Sequence, residues 1–136
     1  MNEQQHLDQC RRNYKVYKAL AGTYVEWAAT VLFYTALHFV EAWLCANTGW
    51  QGGNHTARED KLASLRSVTE EINDAYLTLR AASETARYHV WTGVITASRL
   101  AELHRVHYRK LCEHFDAPPQ VFPSEDSATP PPASTP

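Results

Sequence analysis

Apolar positions along this chain recur at helical spacing, and no stretch alternates with the two-residue period of a strand. The strongest pattern lies between Thr23 and Asn47, where Phe33, Leu37, Val40 and Leu44 fall on one face of a helix. Beside it, Tyr34, His38, Glu41 and Cys45 form a second stripe at i, i+4, i+7 and i+11. A helix this apolar buries most of its circumference, so the second stripe is expected to meet another helix or a symmetry partner. A buried polar group without a partner costs about 1–3 kcal/mol. His38 and Glu41 therefore read first as satisfied core residues and second as members of a site.

The other elements follow from the same reading. Residues 3–20 form a polar helix with a narrow apolar stripe through Leu7, Cys10, Tyr14, Tyr17 and Leu20, and Gly22 marks a break or a kink. The main helix stops at Asn47-Thr48-Gly49, a C-terminal glycine signal, and Trp50 to Asn54 is a loop. Thr56-Ala-Arg-Glu59 and Ser67-Val-Thr-Glu70 both match the capping box, predicting helices near 56–65 and 68–88. On the latter, Ile72, Tyr76, Leu79, Ser83 and Ala86 line one face, with Ser83 and Ala86 small enough for close approach. Thr92-Gly93 interrupts the pattern before a last helix from about Val94 to Phe115. The expected fold is all-α, an antiparallel four- to five-helix bundle over residues 1–117. The Pro/Ser/Thr-rich residues 118–136 are expected to be a disordered tail.

Composition narrows the function classes. Residues 1–116 carry 13 Lys+Arg against 13 Asp+Glu, so no global field draws in nucleic acid or an anionic membrane. Basic charge gathers locally instead, at Arg99, Arg105, Arg109 and Lys110 among three histidines. Three cysteines without paired spacing and an N-terminus unlike a signal peptide predict reduced thiols in the cytoplasm. Val25 to Ala46 is long enough for a membrane span, but Glu26, His38 and Glu41 within it argue against one. Gly52-Gly53 lacks the Lys-Ser/Thr of a phosphate loop. No cofactor and no metal centre is expected; the alternative, a metal site from His38, Glu41, His104 and His107, lacks the Glu-x-x-His pairing of carboxylate-bridged bundles.

Three blocks carry a family likeness: Trp27-Ala-Ala-Thr-Val-Leu-Phe-Tyr-Thr-Ala-Leu-His-Phe-Val-Glu-Ala42, then His55-Thr-Ala-Arg58, then Tyr76-Leu-Thr-Leu-Arg-Ala-Ala-Ser83 leading to Ala86-Arg-Tyr88. Their order and spacing resemble the HEPN (higher eukaryotes and prokaryotes nucleotide-binding) superfamily, in its small stand-alone bacterial form. The resemblance implies an antiparallel bundle that dimerises along its long helices. It also implies a place in phage defence, toxin–antitoxin pairs or RNA metabolism, with RNA or a cognate protein as partner. Tyr34, His38, Glu41, His55, Arg58, Arg87 and Tyr88 are the candidate binding residues on this reading. Arg87-Tyr88 resembles the arginine–acidic–tyrosine ending of non-catalytic, antitoxin-like members, with Ala86 where an acidic residue often stands. From the sequence, Arg87 is also a candidate ion-pair partner for Glu84 or Glu41.

Many HEPN proteins are metal-independent ribonucleases with an arginine followed, after four to six residues, by a histidine. Arg99-Leu-Ala-Glu-Leu-His104 has this form, and Arg109-Lys-Leu-Cys-Glu-His114 is the second candidate pair. The chemistry needs an imidazole beside the ribose 2′-hydroxyl or the leaving oxygen, and a guanidinium on the scissile phosphate. Four intervening residues set Arg and His about 140° apart on a regular helix. His104 also falls within the apolar stripe of Ala97, Leu100, Ala101, Tyr108, Leu111 and Phe115. Two readings stay open: a metal-independent endoribonuclease, and a non-catalytic dimeric binding, adaptor or antitoxin-like module.

Overall fold

A computed structural model describes residues 1–88 and 95–124. Its elements, in chain order, are α1 (Glu3–Leu20), α2 (Val25–Thr48), α3 (His55–Ser64), α4 (Glu70–Tyr88), α5 (Ala97–Glu102), a π-helical stretch (Leu103–Tyr108), α6 (Arg109–His114) and a 3₁₀ turn (Pro119–Val121). The chain is all-helical among the described residues. Glu102, Leu103, Tyr108 and Arg109 all keep right-handed helical angles, so α5, the π stretch and α6 run on as one final helix over 97–114.

Helix ends follow from side-chain oxygens placed at orphan N–H groups. Asn2 accepts from the Gln5 N–H while the Gln5 side chain accepts from the Asn2 N–H, a capping box that starts α1. Asn54, not Thr56, caps α3 by accepting from Ala57 N at 2.8 Å. Thr69 Oγ1, not Ser67, accepts from Ile72 N at the start of α4. Thr56 already lies inside the first turn of α3 and Ser67 lies three residues before α4, so in both cases the residue immediately ahead of the helix provides the cap. Gly49, at φ 72°, ends α2 in the left-handed conformation that its lack of a Cβ allows.

Four long helices build the bundle. α1 and α2 form an antiparallel hairpin around the break at Gly22, bringing His6 to His38. α4 runs antiparallel to α2, and the final helix antiparallel to α4, with Lys110 pairing to Glu71 across them. Phe33, Leu37, Val40 and Leu44 are all buried, together with Tyr76, Leu79 and Ala86 of α4 and Leu103, Tyr108 and Leu111 of the final helix. α2 alone among the described residues is long and apolar enough to cross a membrane, and most of it is buried in this core.

The short α3 lies on the outside. It is pinned by Leu62, which is fully buried, and by the Arg58–Glu41 ion pair described below.

Two boundaries differ from the sequence expectation. The chain packs beyond residue 117: Val121 is fully buried, Pro118 and Pro123 are buried, and the Tyr108 hydroxyl donates to the Val121 carbonyl at 2.7 Å. Pro118, Val121 and Pro123 pack as a strap because prolines have little backbone freedom to lose. Residues 125–136, where the rest of the expected tail falls, lie outside the described residues, as do Thr92 and Gly93. The second difference is the π stretch inside the final helix.

Candidate functional site

Tyr34, His38 and Glu41 of the α2 stripe each meet a polar partner on another helix of the chain. Glu41, 2 % exposed, accepts from Arg58 Nε of α3 at 2.5 Å. Its other oxygen lies 3.9 Å from Nε2 of His6 on α1. Nδ1 of His6 and Nδ1 of His38 are 2.9 Å apart, so one ring carries the proton that the other accepts. Arg58 also donates to His55 Nδ1 at 3.2 Å and to the Gly53 carbonyl at 3.3 Å, tying the loop before α3 to its own first turn. Gly53 sits so close to the Trp50 ring and Ala57 that a Cβ there would press on both.

Charge and burial set the protonation of this network. Burial first, then the His6 and Arg58 charges, lower the His38 pKa to about 4. Burial lowers that of His6 against the opposing pull of Glu41. His55 is lowered by burial and by the cations Arg80 and Arg58. The geometry agrees for His55, since Arg58 can donate only to an unprotonated Nδ1, and for one of His6 and His38, whose facing Nδ1 atoms share a single proton.

A second cluster joins α2 to α4. Arg87 Nη1 donates to the Tyr34 hydroxyl at 3.0 Å, and its Nε donates to the Ser83 carbonyl at 3.3 Å. Its guanidinium carbon lies 5.7 Å from the Tyr34 ring centre and 5.3 Å from that of Tyr88, within cation–π range of both. The sequence pointed to Glu84 or Glu41 as its partner. Glu84 instead pairs with Arg80 at 3.2 Å, and Glu41 is taken by Arg58. Tyr34 and His55 rings stand 6.4 Å apart, which links the two clusters. The structure thus gathers Tyr34, His38, Glu41, His55, Arg58, Arg87 and Tyr88 around the α2–α3–α4 side.

The two arginine–histidine pairs are arranged differently. Arg99 pairs with Glu102 at the surface. His104 is 4 % exposed, with Nε2 2.9 Å from the Tyr14 hydroxyl, inside a box of Tyr14, Tyr17 and Tyr108 rings. Burial, then the Arg109 and Arg105 charges, push its pKa down to about 4. Arg109 Nε donates to the Arg105 carbonyl at 3.2 Å, while His114 lies against the Trp43 and Phe115 rings. Neither histidine bonds to its arginine. His104 and Tyr108 sit four residues apart within the π stretch, both packed on Tyr14.

Three participants escaped the sequence reading. His6 is one turn before Cys10 on the buried edge of α1, and that i, i+4 spacing was its only signal. Tyr14, the partner of His104, read as plain core. Arg80 pairs with both Glu59 and Glu84, joining α3 to α4, and no local pattern marks it.

Among the described residues, no three His, Cys, Asp or Glu are grouped to hold a metal ion. His38 and Glu41 face α1 and α3, whereas His104 lies in the tyrosine box. No protein-family model, curated protein or solved structure matches the chain.

Proposed function

We propose that this chain is a HEPN-like helical module that binds RNA without cutting it through Arg99 and His104. The observation that carries the non-catalytic part is the engagement of His104 Nε2 with the Tyr14 hydroxyl inside a buried aromatic box. A general acid or base must reach its substrate proton directly or through one water. This imidazole is shielded by three tyrosines, and the arginine paired with it in sequence is occupied by Glu102. The RNA-directed part rests on the resemblance carried by Tyr34, His38, Glu41, His55, Arg58, Arg87 and Tyr88.

The module acts as a homodimer on this reading. Tyr34, His38 and Glu41 of the α2 stripe that first suggested a partner are met by α4, α1 and α3, so the partner needs another surface. Tyr24 and Trp27 are 57 % and 62 % exposed at the start of α2. Beside them, Glu26, Trp27, Thr30, Ala86 and Arg87 line a cavity of about 170 Å³. Glu26 and Arg87 on one rim are complementary to the same pair on a two-fold related copy, as an isologous interface demands. Filter binding of labelled single-stranded RNA in the presence of EDTA tests the function: retained RNA is expected, and no retention at micromolar protein contradicts it.

A further inference from the structure

The charge of this balanced chain is divided between two sides. Residues 3–20 and 97–114 hold eight Lys/Arg and four Asp/Glu, whereas residues 25–88 hold five and eight. The cations concentrate where α1 runs beside the final helix. From residue 11 to 18, α1 carries Arg11, Arg12, Lys15 and Lys18 with no carboxylate. The final helix adds Arg105 and Arg109, one turn apart.

Side-chain contacts place Arg11 and Lys18 at the α1 edge of one seam, while Lys15 and Arg12, three and six residues before Lys18, fall about 60° and about 120° farther round on the exposed face of α1. The Tyr14 hydroxyl meets His104, Tyr14 stacks on Tyr108 at 5.8 Å, and Tyr17 packs on His104 at 4.9 Å. Arg11 Nε donates to the side chain of Gln120, in the 3₁₀ turn that follows the final helix, at 3.4 Å. Lys18 Nζ stands 5.4 Å over the Tyr14 ring. Arg105 and Arg109 act on His104 and Arg105 on Tyr17, which fits their lying at this seam. Arg11 is bound to Asp8. Among the described residues, no carboxylate is within ion-pair distance of Arg12, Lys15, Lys18, Arg105 or Arg109. Arg12, Lys15 and Lys18 are exposed.

We propose that this α1–final-helix seam, with the exposed face of α1 beside it, is a track for the phosphate backbone of RNA, resting on the RNA-binding reading above. Clustered unpaired cations attract a polyanion by releasing its condensed counterions, a term independent of sequence. The rings between the helices are buried: Tyr14, Tyr17, His104 and Tyr108 are each at most 4 % exposed. They offer no platform for stacked bases, so the track reads phosphates and not sequence. Arg12 to Lys18 spans about 9 Å along α1, at about 1.5 Å per residue.

The test is fluorescence anisotropy of a labelled single-stranded RNA 20-mer, titrated with the full chain over a series of salt concentrations. The variant Arg12→Gln/Lys15→Gln/Lys18→Gln changes exposed positions to a good helix former, and a thermal melt checks that it folds. Its affinity should fall at least about tenfold, with the salt slope reduced by about 2, as loss of three phosphate contacts to a single strand requires. Lys61→Gln/Arg66→Gln removes cations from the other side and should keep wild-type affinity. Equal weakening by both variants overturns the track in favour of a general charge effect. RNA binding unchanged in the triple variant overturns the track and leaves the RNA-binding reading standing. No binding of RNA by the wild type, with or without capture by anionic phosphatidylserine vesicles, overturns both.

Discussion

Arg58 of α3 reaches Glu41 of α2 with its Nε 2.5 Å from the carboxylate, and both side chains are less than a tenth exposed. This pair is the main polar tie holding α3 to the bundle, with Leu62 as its apolar counterpart. Desolvating two charges is costly, and a buried pair removed at one end leaves the other uncompensated. Arg58→Ala or Glu41→Ala should each destabilise the fold by about 3–5 kcal/mol. Replacing both by Met should cost less than either single change. Urea melts of the three variants check this; equal and small effects would mean that α3 is held otherwise.

Acid should loosen the fold through His104. Burial holds its folded-state pKa at about 4, against 6.5 for an unperturbed histidine. Between those values the unfolded chain binds a proton that the folded chain does not. Stability is therefore present above pH 6.5 and is lost as pH falls toward 4, at about 1.4 kcal/mol per unit and roughly 3 kcal/mol in full. His38, also lowered to about 4, acts in the same direction. In urea melts from pH 7 to pH 4.5, His104→Gln should flatten the slope. An unchanged slope would show that His104 does not titrate on unfolding.

Truncation separates the two parts of the C-terminal region. Ending the chain at residue 117 strips Val121 from the core and leaves the buried Tyr108 hydroxyl without its acceptor. Loss of that burial and that bond costs about 2–4 kcal/mol, so the melting temperature should fall by several degrees or more. Ending it at residue 124 should leave the midpoint within about 2 °C, a shift smaller than about 1 kcal/mol produces. Equal midpoints for the two truncations would contradict the packing of the proline strap.

The helices themselves were legible from spacing. Residues 3–20 emerge as α1 at the same bounds, and the remaining helices start and stop within a few residues of expectation. Phe33, Leu37, Val40 and Leu44 are core because period alone dictates which face is apolar. The candidate binding residues were legible as members of blocks but their partners were not. Arg87 bonds to Tyr34, 53 residues away, where local spacing favoured Glu84. Caps were misread at Thr56 and Ser67 because two oxygens near a helix start compete, and only the backbone path decides. The π stretch was invisible: His104 and Tyr108 within it both pack on Tyr14, a long-range contact that no local pattern encodes.

Assembly can be read by light scattering. The wild type should run as a dimer at micromolar concentration, and Trp27→Ser should shift it toward monomer without lowering its helical content, since Trp27 is 62 % exposed. A wild-type monomer would remove the symmetric arrangement around Glu26 and Arg87.

Binding without scission is the central claim, and one experiment reads both halves. The protein and an end-labelled RNA are incubated in EDTA, the complex is isolated on a native gel, and its RNA is run on a denaturing gel. Full-length RNA within a shifted complex is the expected result. Shortened RNA from the wild type, but intact RNA from folded Arg99→Ala and His104→Ala variants, would contradict it and make the Arg99–His104 pair a nuclease centre.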